Sequence, residues 1–472
     1  MLTVTNKSGR FLGKQIDAGV TAFLGIQYAI ANRFSETSDC EKYFGDVNAT
    51  AFGPQSPQVP GFMEEILNTK NLATSEDCLY LNIWKPNDDR TALPVLFWIH
   101  GGAYTNGTSA TSWYDGANLV KMGGVIVVSI NYRLGPFGFI GDNNLGILDQ
   151  ISALRWVTRN IESFGGDPTN VTIFGESAGG SSVIALTAST MTRGLIHKAW
   201  AMSPSLLQLR SKSDAEDARQ KYLTAANCSD SDDLRHLTTE QMIDATAQMF
   251  LDVDNYISTF SPTVGGAALP DDIYEASARS GIPLVLGTNR DENRLWTALN
   301  PSASAVSSDD AMQKFVDVFD RNATDAWRIY GKSRGSLSPI QMIAAMQTEQ
   351  NFRAPAWRLL ETRVPMVASW MYWFTWPSPV FDGAFGCCHA LDLPFMFNNL
   401  DKPNVEMFTG SSNERELVSG HFTSQLLRFA KTASVDWPKY SVESRATLCI
   451  DTNTRVENDP ESEIRELWSK LN

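Results

Sequence analysis

The sequence predicts an α/β protein: a mostly parallel central sheet flanked by helices, with helical insertions. Two observations point there. Short β-branched apolar runs alternate with stretches whose apolar residues recur at helical spacing, and one such run ends on a glycine-framed turn that opens a helix. In chain order, residues 21–26 read as a strand. Residues 94–99 read as a buried strand feeding a tight loop at His100-Gly101-Gly102, and residues 124–130 suit the centre of a parallel sheet. A helix is expected over 148–164, where Ile151, Leu154, Trp156, Val157 and Ile161 share a face, with 165–168 ending it. Residues 171–174 form the next strand, Ser177 opens the next helix, and strands follow near 198–202 and 283–286. Residues 205–280 and 297–360 are richer in polar, helical sequence and are expected as insertions on the sheet edge. Without repeats, low-complexity tracts or linker-like stretches, 1–472 reads as one domain.

Composition limits the function classes. Apolar residues make up 43% and charged residues 19% of the chain, which argues against disorder. A net charge of −14 repels phosphate backbones, so nucleic acid is not an expected partner. No apolar run reaches the ~18 residues that a membrane span needs. The start of the chain has no charged segment followed by an apolar one, so no signal peptide is expected. Six cysteines in 472 residues, none at zinc-site spacing, suit a reducing compartment and predict neither metal nor cofactor.

The chemistry concentrates at Gly175-Glu176-Ser177-Ala178-Gly179. A sharp strand-to-helix turn crowds its neighbours, so glycines two residues either side of the serine make room for it. The turn lifts the hydroxyl above the sheet, at the positive end of the helix. The pattern is weak alone and gains force from the β-branched strand before it and the small-residue helix after it. Acyl transfer also needs donors for a developing oxyanion, and His100-Gly101-Gly102-Ala103-Tyr104 follows a strand where a loop can curl over Ser177. The N–H groups of Gly102, Ala103 and Ala178 are the expected oxyanion hole.

With these motifs in view, the chain closely resembles the type-B carboxylesterase/lipase family, which includes the cholinesterases, from about Gly9 to Trp468. The matching stretches include Ser75-Glu76-Asp77-Cys78-Leu79-Tyr80-Leu81-Asn82, Asn131-Tyr132-Arg133-Leu134-Gly135, Phe164-Gly165-Gly166-Asp167-Pro168 and Phe174-Gly175-Glu176-Ser177-Ala178-Gly179-Gly180. The resemblance implies the α/β-hydrolase fold and a serine ester hydrolase acting on a small-molecule ester through an acyl-serine intermediate. It also implies the other two members of a catalytic triad. Gly287-Thr288-Asn289-Arg290-Asp291-Glu292 matches the acid motif and makes Glu292 the acid, with Asp291 the competing carboxylate and Asn293 where relatives carry glycine. Gly386-Cys387-Cys388-His389-Ala390-Leu391-Asp392-Leu393-Pro394-Phe395 matches the histidine motif and makes His389 the base. His197 and His236 lie in polar helical sequence, His421 at an expected helix start, and His100 beside the oxyanion loop. The order Ser177, Glu292, His389 is that of α/β hydrolases. Ser203 and Asp392 match positions behind the triad, where plain structural hydrogen bonding is the competing reading. Arg33 with Glu76 and Arg133 with Asp149 match scaffold ion pairs.

The departures also carry information. Ser56 stands where secreted relatives carry the cysteine that pairs with the Cys78 equivalent, and Asp233 where Cys228 would find its partner. Both fit a cytoplasmic protein, with Cys40 left as another partner for Cys78. Ala103 replaces a third glycine but keeps its N–H, and Gln27 replaces a common proline in a shortened loop. The aromatic run Trp370, Tyr372, Trp373, Phe374 and Trp376 reads as alternating core residues of a strand, with an apolar pocket lining as the other reading. Two other functions compete with hydrolysis. An acyltransferase or biosynthetic enzyme would use the same serine, and a non-catalytic binding protein would typically lack a member of the triad. Acyl and alcohol preference and oligomeric state leave no mark on the sequence.

Overall fold

The computed structural model describes residues 2–471 other than 68, 70, 253–258, 299 and 301. Among the described residues, the chain builds a thirteen-stranded sheet. Its spatial order runs Leu2–Thr5, Arg10–Asp17, Val20–Gln27, Tyr80–Pro86, Ile126–Ile130, Leu93–Ile99, Gly166–Glu176, Lys198–Met202, Leu284–Asn289, Ser369–Phe374, Ala446–Ile450 and Arg455–Asn458, with Asp46–Asn48 paired to Arg10–Asp17. From Ile126–Ile130 to Ala446–Ile450 every pairing is parallel; the strands outside that span pair antiparallel, except Asp46–Asn48, which runs parallel to Arg10–Asp17.

The parallel strands are hydrophobic on both faces because helices cover both. Leu96, Trp98, Phe174, Trp200, Val285 and Tyr372 enter one core, and Val95, Phe97, Ile99, Ile173, Leu284 and Met371 enter the other. The aromatic strand Ser369–Phe374 shows the alternation. Trp370, Tyr372 and Phe374 pack with Phe422 or Phe429 on one face, while Trp373 turns to the opposite face beneath the Arg353 guanidinium, 3.8 Å from its ring centre.

Three expectations change. The helix expected over 148–164 spans Leu145–Asn160, and a 3-10 turn, Ile161–Phe164, ends at Gly165 with φ 93°; Gly166 already belongs to the next strand. His421 lies mid-helix in Glu414–Thr432 rather than at a helix start. The segments expected on the sheet edge pack over one face instead. Tyr222, Met242, Phe315, Met342 and Trp357 join the core beneath the Ile99 and Ile173 face, because each segment carries its own apolar stripe to bury.

The scaffold pairs form as expected. Arg133 donates to Asp149 at 2.8 and 2.6 Å, both side chains buried, and Arg33 pairs with Glu76 while also donating to the carbonyls of Leu234 and Leu237. All six cysteines are unpaired, Cys40 and Cys78 included. No described helix is long and apolar enough to cross a membrane, and no described cluster of His, Cys, Asp and Glu is arranged to hold a metal.

Candidate active site

The candidate residues leave the carboxyl ends of neighbouring parallel strands, where α/β sheets gather their ligands. In register, Glu176 stands beside Met202 and Met202 beside Gly287, so the segments that follow these residues emerge side by side. Ser177 donates its N–H to Met202 O at 2.9 Å, and Ser203 donates its own to Gly287 O at 2.8 Å.

Ser177 has φ 57° and ψ −120°, a conformation that L side chains rarely adopt, and it immediately precedes the helix Ala178–Ala188. The framing glycines show what fixes the turn. A Cβ on Gly179 would stand 2.1 Å from Ile99 O, and one on Gly175 2.6 Å from the Gly179 backbone. These are backbone atoms on both sides, so neither contact relaxes by a rotamer change.

The loop after Leu93–Ile99 lies against this turn, and a Cβ on Gly101 would meet Ser177 Cβ at 3.1 Å. Gly102, Ala103 and Tyr104 all have positive φ, of 108°, 53° and 61°, and Asn106 N–H closes the loop on Gly102 O at 2.9 Å. Among the described residues no hydrogen bond takes up the N–H of Gly102, Ala103 or Ala178. His100 braces the loop from below. Its Nδ1 lies 2.8 Å from Gly101 O, its ring stacks on Tyr132, and burial lowers its pKa to about 4, keeping it neutral.

Glu292 and His389 meet directly, with His389 Nδ1 2.6 Å from Glu292 Oε2 and both side chains buried. The other carboxylate oxygen, Oε1, accepts from Ser203 Oγ at 2.5 Å and from Asn289 N–H at 2.7 Å. Asp392 lies one step further back, accepting from Asn289 Nδ2 and Tyr372 OH at 3.3 Å each, and burial raises its pKa to about 7. Asp291, the competing carboxylate, faces away from the imidazole. It accepts from Cys387 N–H and pairs with Arg290, Arg294 and Arg334.

Three residues that the sequence reading did not single out also border the imidazole. Glu176 Oε1 stands 3.1 Å from His389 Nε2, so the ring lies between two buried carboxylates. Burial disfavours the imidazolium, but Glu176 and Glu292 outweigh it and hold the His389 pKa up at about 9. Burial likewise lifts Glu176 to about 8. Phe352 and Trp296 stack on each other 8° from parallel, and their ring centres lie 4.9 and 5.1 Å from that of His389. Trp296 follows Glu292 by one helical turn, which is a readable signal. Phe352 comes from a polar stretch with none.

Residues 1–468 match a family model described as the carboxylesterase family. The chain is 35% identical over 489 residues to a para-nitrobenzyl esterase of Bacillus subtilis (strain 168), covering 98% of this chain and 97% of that protein. It is 29% identical over 470 residues to a phenmedipham hydrolase of Pseudarthrobacter oxydans, covering 95% of each. Among solved structures, a PNB esterase superposes with a TM-score of 0.87 at 34% identity and a Geobacillus stearothermophilus carboxylesterase with 0.87 at 33%, each over 99% of both chains. These neighbours have the α/β-hydrolase fold, and this chain shares it.

Proposed function

The chain belongs to the carboxylesterase family and is a carboxylesterase-type enzyme, and from that premise we propose that it hydrolyses its ester through an acyl intermediate on Ser177, with His389 as base and Glu292 as the acid behind it. The observation that carries the reading is the His389–Glu292 contact of 2.6 Å, with His389 Nε2 3.1 Å from the carboxylate of Glu176, the residue before Ser177. Neutral His389 takes the Ser177 proton as Oγ attacks the ester carbonyl. The N–H groups of Gly102, Ala103 and Ala178 receive the oxyanion. Collapse expels the alcohol, which takes the proton from the imidazolium, and water repeats the sequence to release the acid. Glu292 fixes the tautomer and, together with Glu176, stabilises the imidazolium that forms in each step. Ser203 orients Glu292 through its short hydrogen bond, and Asp392 braces Asn289.

The substrate is a small-molecule ester, and the Phe352 and Trp296 wall favours an apolar or aromatic group beside the imidazole. The name of the para-nitrobenzyl esterase agrees with such a group. The reaction calls on no metal or cofactor, and residues 1–472 act as one domain. A cytoplasmic location accompanies this reading. Ser56 stands where the resemblance puts a disulfide partner for Cys78, and Cys78 is unpaired.

Hydrolysis of p-nitrophenyl esters by the wild type and by Ser177→Ala tests the proposal. Loss of about 10⁴-fold or more in kcat, in a protein with unchanged circular dichroism, is expected. Unchanged turnover in the variant overturns it.

A further inference from the structure

Phe352 reaches His389 from an unusual piece of backbone. Residues Glu349–Arg353 form a π-helical turn between the α-helices Pro339–Thr348 and Ala354–Arg363. Such a turn inserts an extra residue into the α-helical hydrogen-bond ladder and persists only where its surroundings hold it. Here consecutive residues point to different partners. Phe352 lies on the His389 ring, while Arg353, fully buried, lies over Trp373 at 3.8 Å and Trp357 at 4.9 Å.

Behind the turn is an ion cluster of two arginines and two glutamates. Arg334 donates to Glu349 at 2.7 Å, to Glu461 at 2.8 Å and to the carbonyl of Arg290 at 2.7 Å. Arg353 donates to Glu461 at 2.6 Å and to Pro460 O at 3.0 Å. Side-chain exposure is 5% for Arg334, 0% for Glu349 and Arg353, and 11% for Glu461. Glu461 itself sits at φ 57° and ψ 44°, which is costly for a residue with a side chain. Burying four charges is a poor way to gain stability alone, but their fixed directions make a cluster of this kind suited to fixing geometry.

We propose that this cluster is the positioning device for Phe352. Arg334, Arg353 and Glu461 clamp both ends of the π-turn and thereby set how closely the aromatic wall stands to the imidazole, and so which ester group fits against it. Through Glu461 the C-terminal segment, more than a hundred residues away in sequence, is tied to substrate selection at a site that it does not touch. The proposal rests on the reading of Ser177 and His389 as the reaction centre.

The test is a double-mutant cycle on selectivity, measured as the ratio of kcat/KM for p-nitrophenyl hexanoate to that for p-nitrophenyl acetate. Glu461→Gln keeps the shape and removes one charge, and Phe352→Ala removes the ring. Glu461→Gln is expected to shift the ratio about three-fold or more when Phe352 is present and less than about two-fold when it is absent, because coupled residues fail to add. Glu461→Asp restores part of the ratio. Equal shifts in both backgrounds, or no shift with Phe352 present, overturn the proposal. Where Glu461→Gln does not fold, Arg334→Lys, which keeps the charge and loses the forked donor, completes the same cycle. Activity surviving in Ser177→Ala would instead sink the reading of the reaction centre, so the two failures are distinguishable.

Discussion

Glu176→Gln isolates one electrostatic contribution at the site. The substitution preserves the shape of the side chain and removes the carboxyl group 3.1 Å from His389 Nε2, which carries its negative charge when it pairs with the imidazolium. With an effective dielectric constant of about 20, two unit charges at that separation attract by ~5 kcal/mol, a ceiling of ~4 pH units on the imidazole. The amide oxygen still accepts from Nε2–H, and carboxylates at such distances typically move a neighbour by about 1–3 units. The sign follows from the state that reacts. Glu176 stabilises the imidazolium, so its loss lowers the His389 pKa from its raised value of about 9. Because only neutral His389 accepts the serine proton, the acid limb of the kcat/KM profile moves to lower pH by about 1–3 units. The plateau falls at the same time, since the same carboxylate stabilises the imidazolium formed in the transition state. Initial rates on a neutral short-chain ester, followed by pH-stat from the acid to the alkaline range, measure both. A limb that stays in place or moves to higher pH refutes the reasoning.

Other substitutions probe the supports of the site. Ser203→Ala removes one of the two donors to Glu292 Oε1, a hydrogen bond to a charged group, and is expected to cost about 1.5–3 kcal/mol in unfolding free energy by urea titration. Gly179→Ala places a methyl group on Ile99 O and is expected to cost about 1–3 kcal/mol with a steep fall in kcat, read by thermal melting and initial rates. Asp291→Ala leaves Arg290, Arg294 and Arg334 without a shared buried carboxylate and frees Cys387 N–H two residues before His389. A loss of about 3–5 kcal/mol is expected by denaturant titration.

The parts of this site differ in how much of them the sequence reveals, and the physical reason lies in range. The Ser177 turn is legible because its constraint is local. Two glycines and a β-branched strand within a dozen residues record a backbone crowding that the structure displays at Gly175 and Gly179. Glu292 and His389 come together from 97 positions apart, a pairing that no local pattern encodes. Their pairing is legible only through whole motifs that resemble those of a family. Glu176 lies inside the most legible motif, yet nothing in the motif says that its carboxylate turns toward an imidazole. Phe352 sits in a π-turn whose Glu349 and Arg353 pair with Arg334 and Glu461, charges from two other segments, so its own sequence reads as an ordinary polar helix. The insertions, expected on the sheet edge, lie over one face for a related reason. Amphipathic periodicity reports that a helix buries one face, not which surface it meets.

Active-site labelling tests the acyl-serine intermediate most directly. The protein would be treated with a fluorophosphonate, which reacts with activated serines, and the adduct located by peptide mass spectrometry. A single adduct on the peptide containing Ser177, blocked by prior ester substrate and absent in His389→Ala, is the predicted result. An adduct on another residue, or labelling of Ser177 that is unchanged without His389, would contradict the account.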